Sequence, residues 1–158
     1  MEYLQSLKAR GISVLLIEQN LGVAIEVADG PGAGGAYTWR DLERGTAMLA
    51  NLIDALELPA ASRVAVQVDK SVEALMLYLA VLRAGYVFLP LNTAYQAAEV
   101  EYFVGNAEPA LVMCSPKNFG WVSKLCFKLG TKNVFTLGDD RTGTLLERAA
   151  YFGDQHTP

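Results

Sequence analysis

RVAVQVDKSVEALMLYLAVLRAGYVFLPLNTAY, residues 63–95, is the stretch that decides the fold of this 158-residue chain. Its first residues alternate valines with smaller or polar side chains, which is typical of a strand. Ser71 can then cap a helix over residues 72–82, and because that helix is apolar nearly all round, we expect it to be buried. Gly85 is placed to end the helix in the left-handed conformation, and a second strand follows over residues 86–91. A strand, a helix and a strand in this order predict a crossover unit of a parallel sheet.

The same stretch has an alternative interpretation as a membrane span. Residues 74–91 form a run of 18 residues in which Arg83 is the only charge, and that length is close to what a bilayer requires. Gly85 and Pro90 interrupt the run, however, and a charge in mid-span would be costly in lipid. We therefore expect no membrane span and prefer the strand–helix–strand interpretation.

Composition and charge describe a globular α/β protein. Of the 158 residues, 52% are hydrophobic and 19% are charged, and the formal net charge is −4. Neither a disordered chain nor a nucleic-acid-binding surface is expected from these values. Cys114 and Cys126 lack the C-x-x-C spacing and lie in or beside apolar runs, which favours reduced core thiols in a cytoplasmic protein. The apolar segment of residues 12–17 is too short for the core of a signal peptide.

The rest of the chain alternates helices with strands. Thr38 and Asp41 have the spacing of a capping box, ahead of a helix that we expect to reach about Glu57. The buried stripe of this helix is predicted to consist of Leu42, Leu49, Leu52, Ile53 and Leu56. The later predicted elements are a helix over residues 97–104 ended by Gly105, a strand over 110–114, a helix over 119–129, a strand over 133–137 and a helix over 144–152. This alternation predicts the α/β class, with a layered, mainly parallel sheet and flanking helices.

Three motifs carry a resemblance to a known family: DKSVEALMLYLAVLRAG at residues 69–85, PLNTAY at residues 90–95 and YTWRDL at residues 37–42. They resemble the N-terminal part of AMP-forming acyl-CoA synthetases of the AMP-binding superfamily, and among these the malonyl-CoA synthetases. The resemblance extends over residues 23–158 and is strongest over residues 63–114. At residues 61–63 the chain departs from the family pattern, because Ala-Ser-Arg replaces the usual Gly-Asp-Arg.

The resemblance implies that residues 30–158 form a partial N-terminal subdomain of the adenylate-forming enzyme fold. The complete enzymes use ATP, Mg²⁺ and CoA: a carboxylate attacks the α-phosphate of ATP, and CoA then displaces AMP from the acyl-adenylate. The family's phosphate loop, its adenine- and ribose-binding residues and its C-terminal lysine would follow Pro158. We therefore expect a truncated enzyme, with no catalytic residue, no metal ligand and no cofactor for this chain alone, and no ligation of malonate to CoA by it.

The N-terminal segment resembles a different family. KARGISVLLIEQNLGVAIEVAD, residues 8–29, is similar to the C-terminal part of the ATP-binding subunit of branched-chain amino acid ABC transporters. We therefore assign residues 1–29 to an ABC-ATPase-like tail and residues 30–158 to the synthetase-like domain. The chain has no G-x-x-x-x-G-K-[ST] loop, so at most a remnant of such an ATPase subunit is present.

The two resemblances meet at residues 23–30, where they imply different secondary structure. A transporter tail would be helical here, whereas a synthetase would have a strand that pairs back with the Tyr37 side across a turn. Val23, Ile25 and Val27 alternate with other residues, and this period of two favours the strand. The glycine-rich segment of residues 30–35 suits the turn.

Ligands of open parallel sheets gather at the carboxyl ends of the strands. This rule nominates Asp69 and Lys70, Asn92 and Thr93, residues 115–117 and residues 138–140. We interpret Asp69–Lys70 and residues 139–141 as charged turns, and His156, near the end of the chain, as a surface residue without an obvious partner.

Asn92 and Thr93 are the predicted cofactor-binding residues. The resemblance implies that their loop lies on the side of the synthetases that faces the path of the CoA thiol. The alternative is that both residues only turn the chain and cap the next helix, which are common uses of Asn and Thr.

Two further hypotheses stand beside the truncated synthetase. One is a non-catalytic α/β binding or interaction module, whose uncovered sheet edge would self-associate or pair with the missing remainder of the enzyme. The other is a remnant of an ABC transporter ATP-binding subunit. A small carboxylate such as malonate is expected as a partner only in the complete enzyme.

Overall fold

The computed structural model describes residues 14–17, 25–28 and 35–157. The chain divides into two compact units, residues 1–44 and residues 45–158. The predicted glycine turn lies outside the described residues except for Gly35, as does the sequence before Val14.

The first unit contains a three-stranded antiparallel sheet. Its strands are β1 (Val14–Ile17), β2 (Ile25–Ala28) and β3 (Gly35–Tyr37), in the order β1-β2-β3. Ile25 of β2 lies opposite Tyr37 of β3. The strand predicted between residues 23 and 30, and its pairing with the Tyr37 side, are therefore confirmed.

Helix α1 (Trp39–Asp54) begins with the predicted capping box. The backbone N–H of Asp41 donates to Thr38 Oγ1 (3.1 Å), and the backbone N–H of Thr38 donates to Asp41 Oδ2 (2.9 Å). These two bonds satisfy backbone donors that a helix start otherwise leaves unpaired. The helix ends at Asp54, earlier than predicted, and Glu57 follows in the left-handed conformation with φ +50°.

The second unit is built on a four-stranded parallel sheet. Its strands are β4 (Arg63–Gln67), β5 (Val87–Pro90), β6 (Leu111–Cys114) and β7 (Asn133–Thr136), in the order β5-β4-β6-β7. The flanking helices are α2 (Val72–Arg83), α3 (Ala97–Ala107), α4 (Phe119–Lys128) and α5 (Thr144–Ala149), with a 3₁₀ turn at Pro116–Asn118. This architecture confirms the predicted layered α/β class with a mainly parallel sheet.

Helix α2 has both of its predicted ends. Ser71 Oγ accepts the backbone N–H of Ala74 at 3.0 Å, which caps the first turn. Gly85 has φ +76°, and its N–H donates to the carbonyl of Leu82. The N–H of Tyr86 donates to the carbonyl of Val81, so the last turn closes in a Schellman motif.

The prediction that α2 is buried on all sides is wrong. Tyr78 is 40% exposed and Leu82 is 48% exposed. The reason is that α2 packs on β5, which is an edge strand of the sheet.

Among the described residues no helix combines the length and the apolarity that a membrane crossing requires.

Helix α3 also differs from its prediction at one end. It continues through Gly105 to Ala107, and Glu108 takes the left-handed C-cap position with φ +46°. A Cβ on Gly105 would meet only the methyl groups of Leu129 at 3.9 Å, so this glycine lies where α3 faces the end of α4. Gly105 therefore does not end the helix.

One cluster of buried side chains joins the sheet to α3 and α4. Cys114 and Cys126 belong to it, which confirms them as core residues. The cluster consists of Ala65, Leu91, Val100, Val104, Val112, Cys114, Val122 and Cys126. It fixes the carboxyl ends of β4 and β6 side by side.

Candidate functional site

The carboxyl ends of β4, β5, β6 and β7 form the edge at which a parallel sheet usually binds ligands. All four strands run parallel, so the residues nominated from the sequence lie in four loops along one edge. Those loops begin at Val68, Leu91, Ser115 and Leu137.

Gln67, at the end of the central strand β4, holds one of these loops and was missed in the sequence. Its side chain is 2% exposed, and Nε2 donates to the carbonyl oxygens of Asn92 and Tyr95, each at 3.0 Å. Its Oε1 has no hydrogen-bond partner among the described residues. A polar residue directly after the apolar run of residues 64–66 was the available signal.

Asn92 and Thr93 lie in the turn that Gln67 holds. Asn92 Oδ1 accepts the backbone N–H of Ala94 at 2.9 Å, the pattern of an Asx turn. Thr93 is exposed, and the N-cap of α3 is Gln96, whose capping box includes Glu99. The turn half of the alternative interpretation is therefore confirmed, and the capping half is wrong.

An aromatic stack supports the same turn from below. The ring of Tyr95 lies parallel to that of Phe103 on α3, with centroids 5.1 Å apart and 19° between the planes. Phe103 is also in edge contact with Tyr102 at 5.4 Å. The Gln67 amide bonds the carbonyls of Asn92 and Tyr95, and the stack also holds the ring of Tyr95. The backbone of residues 92–95 is therefore fixed at both ends.

Two ion pairs connect the other loops. Lys117 Nζ lies 3.3 Å from Asp69 Oδ2, joining the loops after β4 and β6. Arg141 Nε lies 3.4 Å from Glu73 Oε1, joining the loop after β7 to the first turn of α2. Asp69 thus pairs across the edge, and the four charges largely compensate one another.

The loop between β7 and α5 is a closed structural turn. The N–H of Thr136 donates to Thr144 Oγ1 (3.0 Å) and the N–H of Thr144 donates to Thr136 Oγ1 (2.9 Å). Within the loop, the Thr142 hydroxyl donates to Asp140 Oδ1 at 2.6 Å, and this bond lowers the pKa of the Asp140 carboxyl. The interpretation of residues 139–141 as a charged turn fits this geometry.

The interpretation of His156 as a surface residue is wrong. It is 8% exposed, and its Nε2 lies 2.7 Å from Asp54 Oδ2. Arg83 donates to it twice, from Nε to Nδ1 (3.2 Å) and from Nη2 to the backbone oxygen (2.9 Å). Asn51 Nδ2 also donates to the carbonyls of Gly153 and Gln155. The contacts bind the terminal segment to α1 and α2, which no local pattern in the sequence reveals.

The two thiols are unsuited to nucleophilic chemistry. Burial raises the pKa of Cys114 to about 12 and that of Cys126 to about 11. The neighbouring Cys126 adds to the shift of Cys114. Both therefore stay protonated at neutral pH.

The described residues do not fit a magnesium or triphosphate site by themselves. No group of three or more His, Cys, Asp or Glu side chains in residues 14–17, 25–28 and 35–157 is arranged to hold a metal. At the carboxyl edge, Lys117 and Arg141 already face carboxylates, so neither is presented to an anionic ligand. What the edge offers to a ligand is the exposed residues 92–94 of the turn and the exposed side chain of Lys70.

A separate cleft of about 550 Å³ lies at the opposite edge of the sheet. It is lined by the ends of α1, α3 and α4 and by the starts of β6 and β7, including Glu57, Glu108 and Lys132. Helix C-termini surround it, and the side chain of Arg63 already donates to one of their carbonyls, that of Ala107, at 3.0 Å. It is not where a parallel sheet usually binds its ligand.

Comparison with known proteins assigns a family to residues 20–150, which match the model described as "AMP-binding enzyme". The chain is 39% identical over 82 residues to the non-ribosomal peptide synthetase CmlP of Streptomyces venezuelae, covering 52% of this chain and 8% of the relative. It is 32% identical over 71 residues to the probable CoA ligase CCL9 of Humulus lupulus, covering 45% of this chain and 14% of the relative.

The chain also matches solved structures. Apo MatB of Rhodopseudomonas palustris matches with a TM-score of 0.75 and 41% identity, covering 80% of this chain and 25% of that one. ATP-bound MatB from the same organism matches with 0.75 and 42%, covering 78% and 24%. An acyl-CoA synthetase of Brucella canis shares the fold at 0.66 with 19% identity, covering 80% and 24%. The chain thus spans about a quarter of the MatB chain's length.

Proposed function

Because the chain belongs to the AMP-binding enzyme family, we propose that it is the N-terminal part of an AMP-forming acyl-CoA synthetase whose acid is malonate. The observation that supports this acid is the 41% identity to MatB, a malonyl-CoA synthetase, over 80% of the chain. The acyl-CoA synthetase of Brucella canis shares the fold with only 19% identity. Cofactors of the complete enzyme would be ATP, Mg²⁺ and CoA.

We propose that this chain supplies scaffold and not the adenylation centre. Transfer of an adenylyl group requires preorganised positive charge and backbone donors around the phosphates. Of the cations described at the carboxyl edge, Lys117 and Arg141 are engaged with Asp69 and Glu73, and Lys70 is exposed.

Asn92 and Thr93 are proposed as the contribution of this chain to CoA binding. Three features support the assignment: the turn lies at the carboxyl edge, it is exposed, and Gln67 holds its backbone from within. The Oδ1 of Asn92 is occupied by Ala94, so the exposed side chain of Thr93 is the one best placed for a ligand.

The test of the proposed function is ATP–pyrophosphate exchange with malonate and Mg²⁺. We expect the purified 158-residue chain to give no more exchange than a heat-treated sample, with MatB of Rhodopseudomonas palustris as the positive control. Exchange above the heat-treated sample would show that the chain carries an adenylation centre and would contradict the proposal.

A non-catalytic interaction module is the second candidate. It is favoured by the exposure of the edge strand β5, in which no residue is fully buried. It predicts an assembly larger than one chain. Sedimentation as a clean monomer that binds no apolar dye would count against this candidate.

The assignment of residues 1–29 to an ABC-ATPase-like tail stays a proposal for its first part only, because residues 25–28 form a strand where such a tail would be helical. The family match begins only at residue 20, which leaves most of this segment outside it. If the chain were instead a working remnant of a transporter ATPase, it would bind ATP. Titration with ATP is expected to show no saturable binding. A cytoplasmic location is part of the proposal, in keeping with the two free thiols.

A further inference from the structure

The imidazole of His156 lies between charged groups of two helices. Its side chain is 1% exposed, and its Nε2 lies 2.7 Å from Asp54 Oδ2 on α1. On the other side of the ring, Arg83 of α2 donates from Nε to Nδ1 at 3.2 Å and from Nη2 to the backbone oxygen of His156 at 2.9 Å. Both ring nitrogens therefore have a partner.

These two partners determine which ring nitrogen carries hydrogen. A guanidinium donates hydrogen bonds and accepts none, so Nδ1 of His156 must be the acceptor of the Arg83 N–H and carries no hydrogen. A carboxylate only accepts, so Nε2 carries the hydrogen and donates it to Asp54. The hydrogen-bond pattern thus assigns a neutral imidazole in the Nε2–H tautomer.

A second proton does not fit this arrangement. It would have to bind Nδ1, and the new N–H would then point at the N–H of Arg83, with an imidazolium against a guanidinium. The contact with Arg83 must therefore break. Asp54 would attract the imidazolium, but its side chain is 45% exposed, so water weakens that attraction.

The other groups around the segment do not supply a competing switch near neutral pH. Asn51 Nδ2 donates to the carbonyls of Gly153 and Gln155, and these neutral hydrogen bonds carry no titrating group. Burial and the nearby Asp54 carboxylate raise the pKa of Tyr86, which therefore stays protonated. The remaining carboxyl of the segment belongs to Asp154, and an unperturbed aspartate titrates around pH 4.

We propose that His156 makes the docking of residues 150–157 sensitive to pH. The segment is held on α1 and α2 while the ring is neutral, and it is released when Nδ1 binds a proton. The released segment can bind one proton more than the held segment, so a fall in pH favours release. An unperturbed imidazole takes up this proton around pH 6.5, so the held state is present above that pH and is lost below it.

Nuclear magnetic resonance of the full 158-residue chain tests the proposal. His156 is the only histidine in the sequence, so its two ring nitrogens report tautomer and protonation without ambiguity. Backbone ¹⁵N relaxation of residues 153–157 reports the docking. We expect the Nε2–H tautomer at about pH 7.5, and order parameters that fall from about 0.8 at that pH to below about 0.6 at about pH 5.5. The midpoints of the fall and of the ring titration should coincide.

Four results would overturn the proposal. An Nδ1–H tautomer at about pH 7.5 would contradict the assigned hydrogen-bond pattern. A ring that titrates while residues 153–157 stay ordered would show that Asp54 retains the imidazolium in place. Order lost without titration of the ring would exclude His156 as the sensor. A parallel loss of order in residues 111–114 of β6 would show that the whole sheet unfolds and not the segment alone.

His156→Gln is the matched control variant. A glutamine amide can donate to Asp54 and accept from Arg83 as the neutral imidazole does, but it does not titrate. We expect residues 153–157 of this variant to remain ordered at both pH values. The same fall at about pH 5.5 as in the unsubstituted chain would assign the response to Asp54 or Asp154 and would refute the role of His156.

Discussion

Ala61 is an alanine in a backbone conformation that favours glycine. Its φ is +57°, and it stands where the family pattern expects the glycine of Gly-Asp-Arg. The backbone of Ala61 thus adopts the left-handed conformation with an alanine side chain. The left-handed region costs a non-glycine residue roughly 1–2 kcal/mol, so this turn is strained.

Ala61→Gly is therefore expected to stabilise the chain. We predict a gain of about 0.5–1 kcal/mol in the free energy of unfolding, because the relieved strain exceeds the added chain entropy of glycine. Urea denaturation followed by circular dichroism measures it. Ala60→Gly, at a neighbour without positive φ, is the control and should be neutral or destabilising. A loss of stability from Ala61→Gly would refute the strain.

The thiols give a prediction that depends on pH. The pKa of Cys126 is raised from 9.0 to about 11 and that of Cys114 to about 12, so at pH 8 the thiolate fraction falls at least about 100-fold below that of an unperturbed thiol. Alkylation of the native protein by iodoacetamide at pH 8 should be slower by at least this factor than in urea. Rapid alkylation of either thiol without denaturant would contradict the burial.

Helix α5 depends on the glycine that precedes it. Gly143 has φ +124°, and a Cβ there would overlap the backbone carbonyl of Thr136. Gly143→Ala should therefore destabilise the chain by about 2–3 kcal/mol, combining backbone strain with the overlap. Gly153→Ala is the matched control, since a Cβ there meets nothing within 4 Å. Comparable midpoints of thermal unfolding for the two variants would show that the turn relaxes freely.

The terminal segment of residues 150–157 is held to α1 and α2 through His156. Its side chain joins Asp54 on α1 to Arg83 on α2. His156→Ala should release the segment and lower the free energy of unfolding by about 1–3 kcal/mol, because the hydrogen bonds of the buried imidazole to Asp54 and Arg83 are lost. Hydrogen–deuterium exchange of residues 150–157 measures the release. Tyr151→Ala, at an 89% exposed side chain, should leave exchange unchanged, and unchanged exchange in the histidine variant would refute the anchor.

Across the molecule, the parallel sheet brings four loops to one edge, where two kinds of contact, amide hydrogen bonds and ion pairs, hold them. Gln67 holds the turn of residues 92–95, and two ion pairs join the remaining loops. The Lys117–Asp69 pair is exposed enough to contribute little to stability. The Gln67 hydrogen bonds and the ion pairs nevertheless fix the positions of the loops at the carboxyl edge.

The amino-acid sequence was sufficient to predict most of the described helices and strands and their order along the chain. Caps such as Ser71 and Thr38, the left-handed Gly85 and the strand between residues 23 and 30 were predicted, since each depends on residues a few positions apart. The parallel sheet followed from the alternation of strands and helices. Helix ends were less well predicted: α1 stops before Glu57, and α3 passes through Gly105.

The partners of the polar side chains and the coverage of the helices required the folded chain. Gln67 contacts a residue 25 positions away and His156 one 102 positions away, and no periodicity encodes such distances. Whether α2 is buried depends on whether another layer lies beyond β5, a property of the sheet edge and not of the helix sequence. Local patterns fix backbone conformation because it depends on neighbouring residues, whereas burial and pairing depend on which distant segments meet.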